Sequence, residues 1–207
     1  MSPSRQVVKT ELEKIIVPEL AACGFRYSPS QLKFSRKVSH VTQIIEVSLN
    51  RYNSAEYIDF WTMWGVHSTD YSRWHQQEWG EKPYNNSLGG CADWNIPGWS
   101  YPPGSYHFDL SDRRSREAVM RWFLSDIQDC GLPYLERIST WVGAAEELLN
   151  NGWMFGTAAE FFLIAGDQER AREALERGLK MVDEGRKVDS LKLLELKRKL
   201  DVKPKCV

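Results

Sequence analysis

The run EYIDFWTMWGVHS, residues 56–68, decides how the rest of the chain is read. At period two, Ile58, Phe60, Trp64 and Val66 share one face of a strand, and Tyr57, Trp61, Met63 and His67 share the other. Both faces are largely apolar. Such a strand is covered on both sides, or it is covered on one side while the other reaches a pocket or an interface.

Upstream, VTQIIEVSLN (41–50) sets Val41, Ile45, Val47 and Leu49 against Thr42, Glu46, Ser48 and Asn50, the alternation of a half-buried strand. Leu32, Phe34 and Val38 predict a shorter strand before it, turning at Ser39 and His40. Residues 4–23 carry Val8, Leu12, Ile15, Ile16, Leu20 and Cys23 at helical spacing, with Ser4 to cap and Gly24 to stop. Pro18 removes a backbone donor inside that helix and predicts a kink or a break.

Downstream, residues 70–103 show no sustained period and are rich in Gly, Asn, Pro and Trp. Disordered segments are poor in aromatics, so this stretch reads as an ordered, irregular excursion packed on the sheet. SYHFDL (105–110) returns as a further strand with Tyr106, Phe108 and Leu110 on one face. Ser111 then caps a helix with the stripe Val119, Trp122, Phe123, Ile127 and Cys130, closed by Gly131. Pro133 opens the next helix, with Leu135, Ile138, Trp141 and Val142 inward. This order predicts an α+β fold, an antiparallel sheet of about four strands flanked by helices.

The C-terminal third is helical. FGTAAEFFLIAGDQERAREALERGL (155–179) pairs two helices around Gly166 and Asp167, with Ala158, Ala159, Ala171 and Gly178 at the close approach and Phe155, Phe162 and Leu175 filling between. It resembles a single tetratricopeptide hairpin over residues 152–185, short of the roughly three repeats that a solenoid needs. SLKLLELKRKL (190–200) predicts a capping helix that turns Leu191, Leu194 and Leu200 inward. The expected organisation is an α+β domain over 1–143, containing the Trp-rich excursion 70–103, and a helical hairpin with its capping helix over 144–207 packed on it.

The N-terminal motifs Leu20, Cys23, Gly24 and Phe25, then KFSRK (33–37), QIIEVSLNRYN (43–53) and WGVHS (64–68), are together similar to the bacterial domain-of-unknown-function family number 4304. The resemblance covers about the first 130 residues and implies a small α+β fold in a bacterial protein. It implies no catalytic residue. The Trp-rich insertion after the third strand departs from it.

Across 207 residues, 27 basic and 28 acidic side chains balance, which makes no bulk case for nucleic acid or a membrane surface. The N-terminus lacks a signal-length apolar run and no segment has membrane-span length, so a soluble cytoplasmic protein is expected. Cys23, Cys91, Cys130 and Cys206 are scattered, as free thiols in a reducing compartment would be. His67, His75, His107 and Cys91 occur at no metal-ligand spacing, and no nucleophile, phosphate-loop or dinucleotide motif is present, so neither metal nor cofactor is expected.

Residues 53–110 hold two basic side chains, Arg73 and Lys82, against seven acidic ones, a net −5 that repels phosphate. Tryptophans in a negative field suit a basic protein partner instead. The candidate partner-binding residues are Trp74, His75, Glu78, Trp79, Glu81, Asp93, Trp94 and Trp99. The expected function is a non-enzymatic, protein-binding one, in its most specific form an immunity-type protein that neutralises a basic toxin domain. The alternative is a small-molecule-binding protein or hydrolase with a pocket between sheet and helices, using His67, His107 and loop carboxylates.

Overall fold

A computed structural model describes residues 2–152, 154–185 and 190–202, which leaves Cys206 outside the described residues. The chain forms two compact units, Met1–Glu136 and Arg137–Val207, divided slightly ahead of the 143/144 boundary expected from the sequence. Among the described residues no helix is long and apolar enough to cross a membrane.

The first unit is α+β. Strands β1 (Arg26–Ser28), β2 (Lys33–Val38), β3 (Val41–Leu49), β4 (Asp59–Ser68) and β5 (Ser87–Ala92) lie side by side in chain order, all antiparallel. A sixth, β6 (Phe108–Asp109), pairs with the first two residues of β4. The expected turn at Ser39 and His40 joins β2 to β3, with Ser39 at φ 51°.

Two strands exceed the expected four. β1 spans only three residues. β5, SLGGCA, carries a glycine pair in place of alternation, and a Cβ on Gly90 would meet the Trp64 carbonyl oxygen at 2.3 Å. Only a glycine lets the two backbones approach so closely. Residues 70–103 are therefore not an irregular excursion throughout: helix α3 (Thr69–Trp79) and β5 occupy much of the stretch. Ser68 ends β4 and accepts from the Tyr71 amide at 3.2 Å to cap α3, and Gly80 closes it at φ 80°. Its aromatic-rich sequence, TDYSRWHQQEW, masks the helical period.

The even face of β4 is buried, with Phe60, Thr62, Trp64 and Val66 all at 2% exposure or less. Its odd face is open: Trp61, Gly65 and His67 are half-buried and Met63 is exposed. Helices cover the even side. Phe123 of α4 (Arg116–Asp126) stands edge-on to Phe60 at 5.2 Å and against Phe108 at 4.7 Å. α4 also packs against the N-terminal helix, whose buried stripe is Val8, Leu12, Ile16 and Leu20. Trp122, expected in the α4 stripe, faces outward, and Ser111 does not cap the helix, which begins at Arg116. Ser111 Oγ instead accepts from the Ile58 amide at 2.9 Å.

Neither proline breaks its helix. α1 (Pro3–Glu11) runs through a π turn, Leu12–Ile16, into α2 (Val17–Ala22), which contains Pro18. α4 runs through a second π turn, Ile127–Gly131, into α5 (Leu132–Ile138), which contains Pro133. In each case the residue before the proline donates five positions back, Val17 to Leu12 and Leu132 to Ile127. The wider turn absorbs the missing proline donor and relieves the ring's clash with the preceding turn. Gly131 thus lies within a continuous helical path, where a Cβ would meet the Trp64 ring at 2.3 Å.

The second unit holds α6 (Trp141–Asn151), α7 (Phe155–Ile164), α8 (Gln168–Asp183) and α9 (Ser190–Val202), each packed on the next. The α7–α8 hairpin follows its small-residue pattern: a Cβ on Gly178 would meet the Phe155 Cβ at 2.8 Å. Asp167 caps α8 by accepting from the Arg170 amide at 3.0 Å. In α9, Leu193, Leu196 and Leu200 are buried and Leu194 is 54% exposed, so Leu194 is on the opposite side from that expected. The side chain of Leu191 is outside the described residues. Lys192 Nζ reaches the fully buried Glu160 at 2.9 Å, which adds a specific ion pair to the same seam.

The glycine at 131 gives a direct test of the helix-on-sheet packing. Gly131→Ala is expected to lower unfolding free energy by about 1–3 kcal/mol, since the buried indole has no room to retreat. Denaturant unfolding monitored by far-ultraviolet circular dichroism measures it.

Candidate functional site

β4 pairs with β6 at Asp59 and Phe60 and with β5 from Met63 to His67, which leaves Trp61 and Thr62 without a strand partner on that edge. The side chain of Asp93 fills the gap. Its Oδ2 accepts from the Thr62 amide at 2.7 Å and from Thr62 Oγ1 at 2.9 Å, and its Oδ1 accepts from the Trp94 amide at 2.9 Å and the Tyr101 hydroxyl at 2.6 Å. Thr62 Oγ1 accepts in turn from the Trp64 indole at 2.7 Å. All four donors to Asp93 are uncharged. Burial pushes the Asp93 carboxyl above its usual range, against the opposing pull of those hydrogen bonds.

Asp93 fixes the start of a segment that runs to Tyr101, and Asp126 fixes its end. Ser100 Oγ donates to Asp126 Oδ1 at 3.3 Å and accepts from the Trp122 indole at 3.1 Å. Between them Trp99 packs edge-on against Trp64 at 5.4 Å and near Phe108 and Phe123, both at 6.2 Å. The segment therefore sends one tryptophan inward and leaves another, Trp94, 52% exposed beside the odd face of β4.

There Trp94 meets Trp61 and His107, with ring centroids at 6.4 and 6.3 Å, and Trp61 lies 5.2 Å from His107. Tyr101 presents its edge to His107 at 6.1 Å. Beneath this cluster is Asp59, 2% exposed, whose Oδ2 receives His107 Nδ1 at 3.1 Å, the Tyr57 hydroxyl at 2.9 Å and Asn50 Nδ2 at 3.3 Å. The bond to Asp59 is the first cause raising the Tyr57 phenol above its ordinary value. Asp59 Oδ1 is buried with no hydrogen-bond partner among the described residues. On the same face of β4 and its lead-in, Tyr57 and Met63 are exposed at 45% and 42%, and Tyr106, next to His107 in the chain, is exposed at 89%. The result is an aromatic face over a buried carboxylate.

The structure redistributes the residues expected to meet a partner. Trp94 is on this face. Asp93 and His75 are buried, and Trp99 is half-buried with its ring against Trp64, Phe108 and Phe123, so these three contribute packing and hydrogen bonds within the fold. His75 Nδ1 donates to the Glu81 carbonyl at 2.9 Å and ties the following loop to α3. Trp74, Glu78 and Trp79 are half-buried on α3, and Glu81 is exposed just beyond it. Asp59, Tyr57 and Trp61, absent from the expected set, gain their place through strand register. Their signal in the sequence was the apolar odd face of residues 56–68.

His67 and His107 do not converge. His67 sits near the far end of β4, with Nδ1 at 3.0 Å from Asn86 Oδ1, whereas His107 lies by the strand's first residues. Cys23 and Cys130 are free thiols, and no cluster of three metal-ligating side chains occurs among the described residues. Comparison of the chain with protein-family models, curated proteins and solved structures found no match.

The Asp93 carboxyl supplies a pH test. Because its folded value is raised, its stabilising contribution is complete below the ordinary carboxylate range and is lost as pH rises through the folded value. Stability measured from pH 4 to 7 should fall more steeply with pH in the native chain than in Asp93→Asn. Denaturant midpoints across that range are the measurement, and parallel profiles would refute the raised value.

Proposed function

We propose that the first unit is a protein-binding module whose contact surface is the odd face of β4, centred on Trp61, Trp94 and His107. The observation that carries this reading is the exposure of Trp94, Met63 and Tyr57 by one ring cluster, with Tyr106 exposed next to His107 in the chain. Isolated exposed apolar side chains are ordinary, but a contiguous aromatic group is what interfaces draw their affinity from. The net −5 over residues 53–110 favours a basic partner, although Asp93 and Asp59 act from within the fold.

In its most specific form the reading remains an immunity-type protein that binds and neutralises a basic toxin domain, in the cytoplasm of a bacterium. That setting, and membership of the N-terminal part in family 4304, rest on the motifs Leu20–Phe25, 33–37, 43–53 and 64–68. The alternative, a small-molecule-binding protein or hydrolase with a pocket between sheet and helices, draws less support, since His67 and His107 lie toward opposite ends of β4.

The triple variant Trp94→Ser, Met63→Ser, Tyr106→Ser tests the surface. These side chains are exposed, so each change should alter stability by less than about 0.5 kcal/mol. Immobilised native protein should retain a partner, identified by mass spectrometry, that the folded triple variant loses at least tenfold. Equal retention would overturn the assignment of this face.

A further inference from the structure

The partner-binding reading leaves open what the face recognises, and the chemistry around His107 narrows it. His107 Nδ1 lies 3.1 Å from Asp59 Oδ2. A carboxylate only accepts, so Nδ1 carries the hydrogen, and in the neutral ring Nε2 is then the acceptor. No described residue bonds Nε2, and the side chain is 30% exposed. A partly exposed ring therefore carries an acceptor that no described residue engages, with a buried negative group behind it.

Two further features act in the same direction. Trp61 and Trp94 flank the imidazole at 5.2 and 6.3 Å and offer indole faces, the aromatic surface that attracts cations most strongly. Asp109 stands directly across from Asp59 in the β4–β6 register, a like-charge placement that costs stability, and no described cation pairs with Asp109. Among the described residues only Ser111 donates to it, through its amide at 2.8 Å and its hydroxyl. The face thus joins a hydrogen-bond acceptor, two indoles and uncompensated negative charge.

We propose that this constellation seats one arginine side chain of the protein partner, an inference that rests on the partner-binding reading. A guanidinium is planar, stacks on an indole and donates along its edge, so it can lie against Trp94 or Trp61 while an N–H reaches His107 Nε2. A lysine ammonium meets the charge but not the planar geometry. An acidic side chain is repelled by Asp59 and Asp109.

The test uses the full chain and a defined probe, N-acetyl-arginine methylamide, followed by nuclear magnetic resonance of the indole and imidazole signals. The expected result is a saturable shift confined to Trp61, Trp94 and His107. The neutral citrulline counterpart should bind at least tenfold more weakly, and Trp94→Ala and His107→Phe should each abolish saturation. Trp94→Ala alters an exposed side chain, so its result stands even if His107→Phe disturbs the fold. Unsaturable shifts, or equal response to citrulline, would overturn the arginine seat. If the seat fails while the triple variant still loses the partner, the face remains a binding surface for different chemistry. If the triple variant keeps the partner, the partner-binding reading itself fails whatever the probe does.

Discussion

The carboxylate of Asp93 is the interaction on which the open face depends. A strand edge with an unpaired amide inside a fold is costly, and β4 has such a gap at Thr62 where β5 has ended and β6 has not begun. Asp93 closes it with a side-chain acceptor while also taking the Trp94 amide and the Tyr101 hydroxyl. Hydrogen bonds to a charged group are each worth about 1.5–3 kcal/mol, and the four at Asp93 offset part of the cost of burying its carboxyl, whose value stays raised. One side chain therefore completes the sheet and aims the residues on either side of it.

That constraint explains how two tryptophans close together in sequence acquire opposite roles. Trp94 follows Asp93 immediately and is held at the surface, while Trp99 falls within the arc between Asp93 and Asp126 and packs on Trp64. The inward residue strengthens the core and the outward one remains available. A second constraint acts through Trp64, whose ring occupies the space that a Cβ at Gly131 would fill. The π turn that ends at this glycine lets one helical path carry both the close approach and the proline that follows.

The open face derives its character from burial behind it. Asp59 is paired with His107 and Tyr57 but sits below the surface, so its carboxylate reaches the face through the imidazole. Under the proposed binding role, preorganisation of this kind would reduce the ordering cost, because the acceptor and both indoles are already placed. The neighbouring carboxylate of Asp109 adds to the same field at some cost to the sheet.

Much of the fold was legible because its signals are local. Alternation in 41–50 and 56–68, the stripe of residues 4–23 and the small residues of the α7–α8 hairpin each specify an element through spacing alone. β5 was hidden because its glycines serve a neighbour's backbone, and α3 because its aromatics obscure a helical period. The site was less legible. The sequence by itself determined that one strand has two apolar faces and that tryptophans lie in an acid-rich stretch. Only the tertiary structure decided which face is covered, which tryptophan turns inward, and that Asp59 and His107, far apart in the chain, share a hydrogen bond. The reason is physical: periodicity reports the geometry of one segment, whereas side-chain pairing across β4 and β6 depends on a register set by both strands.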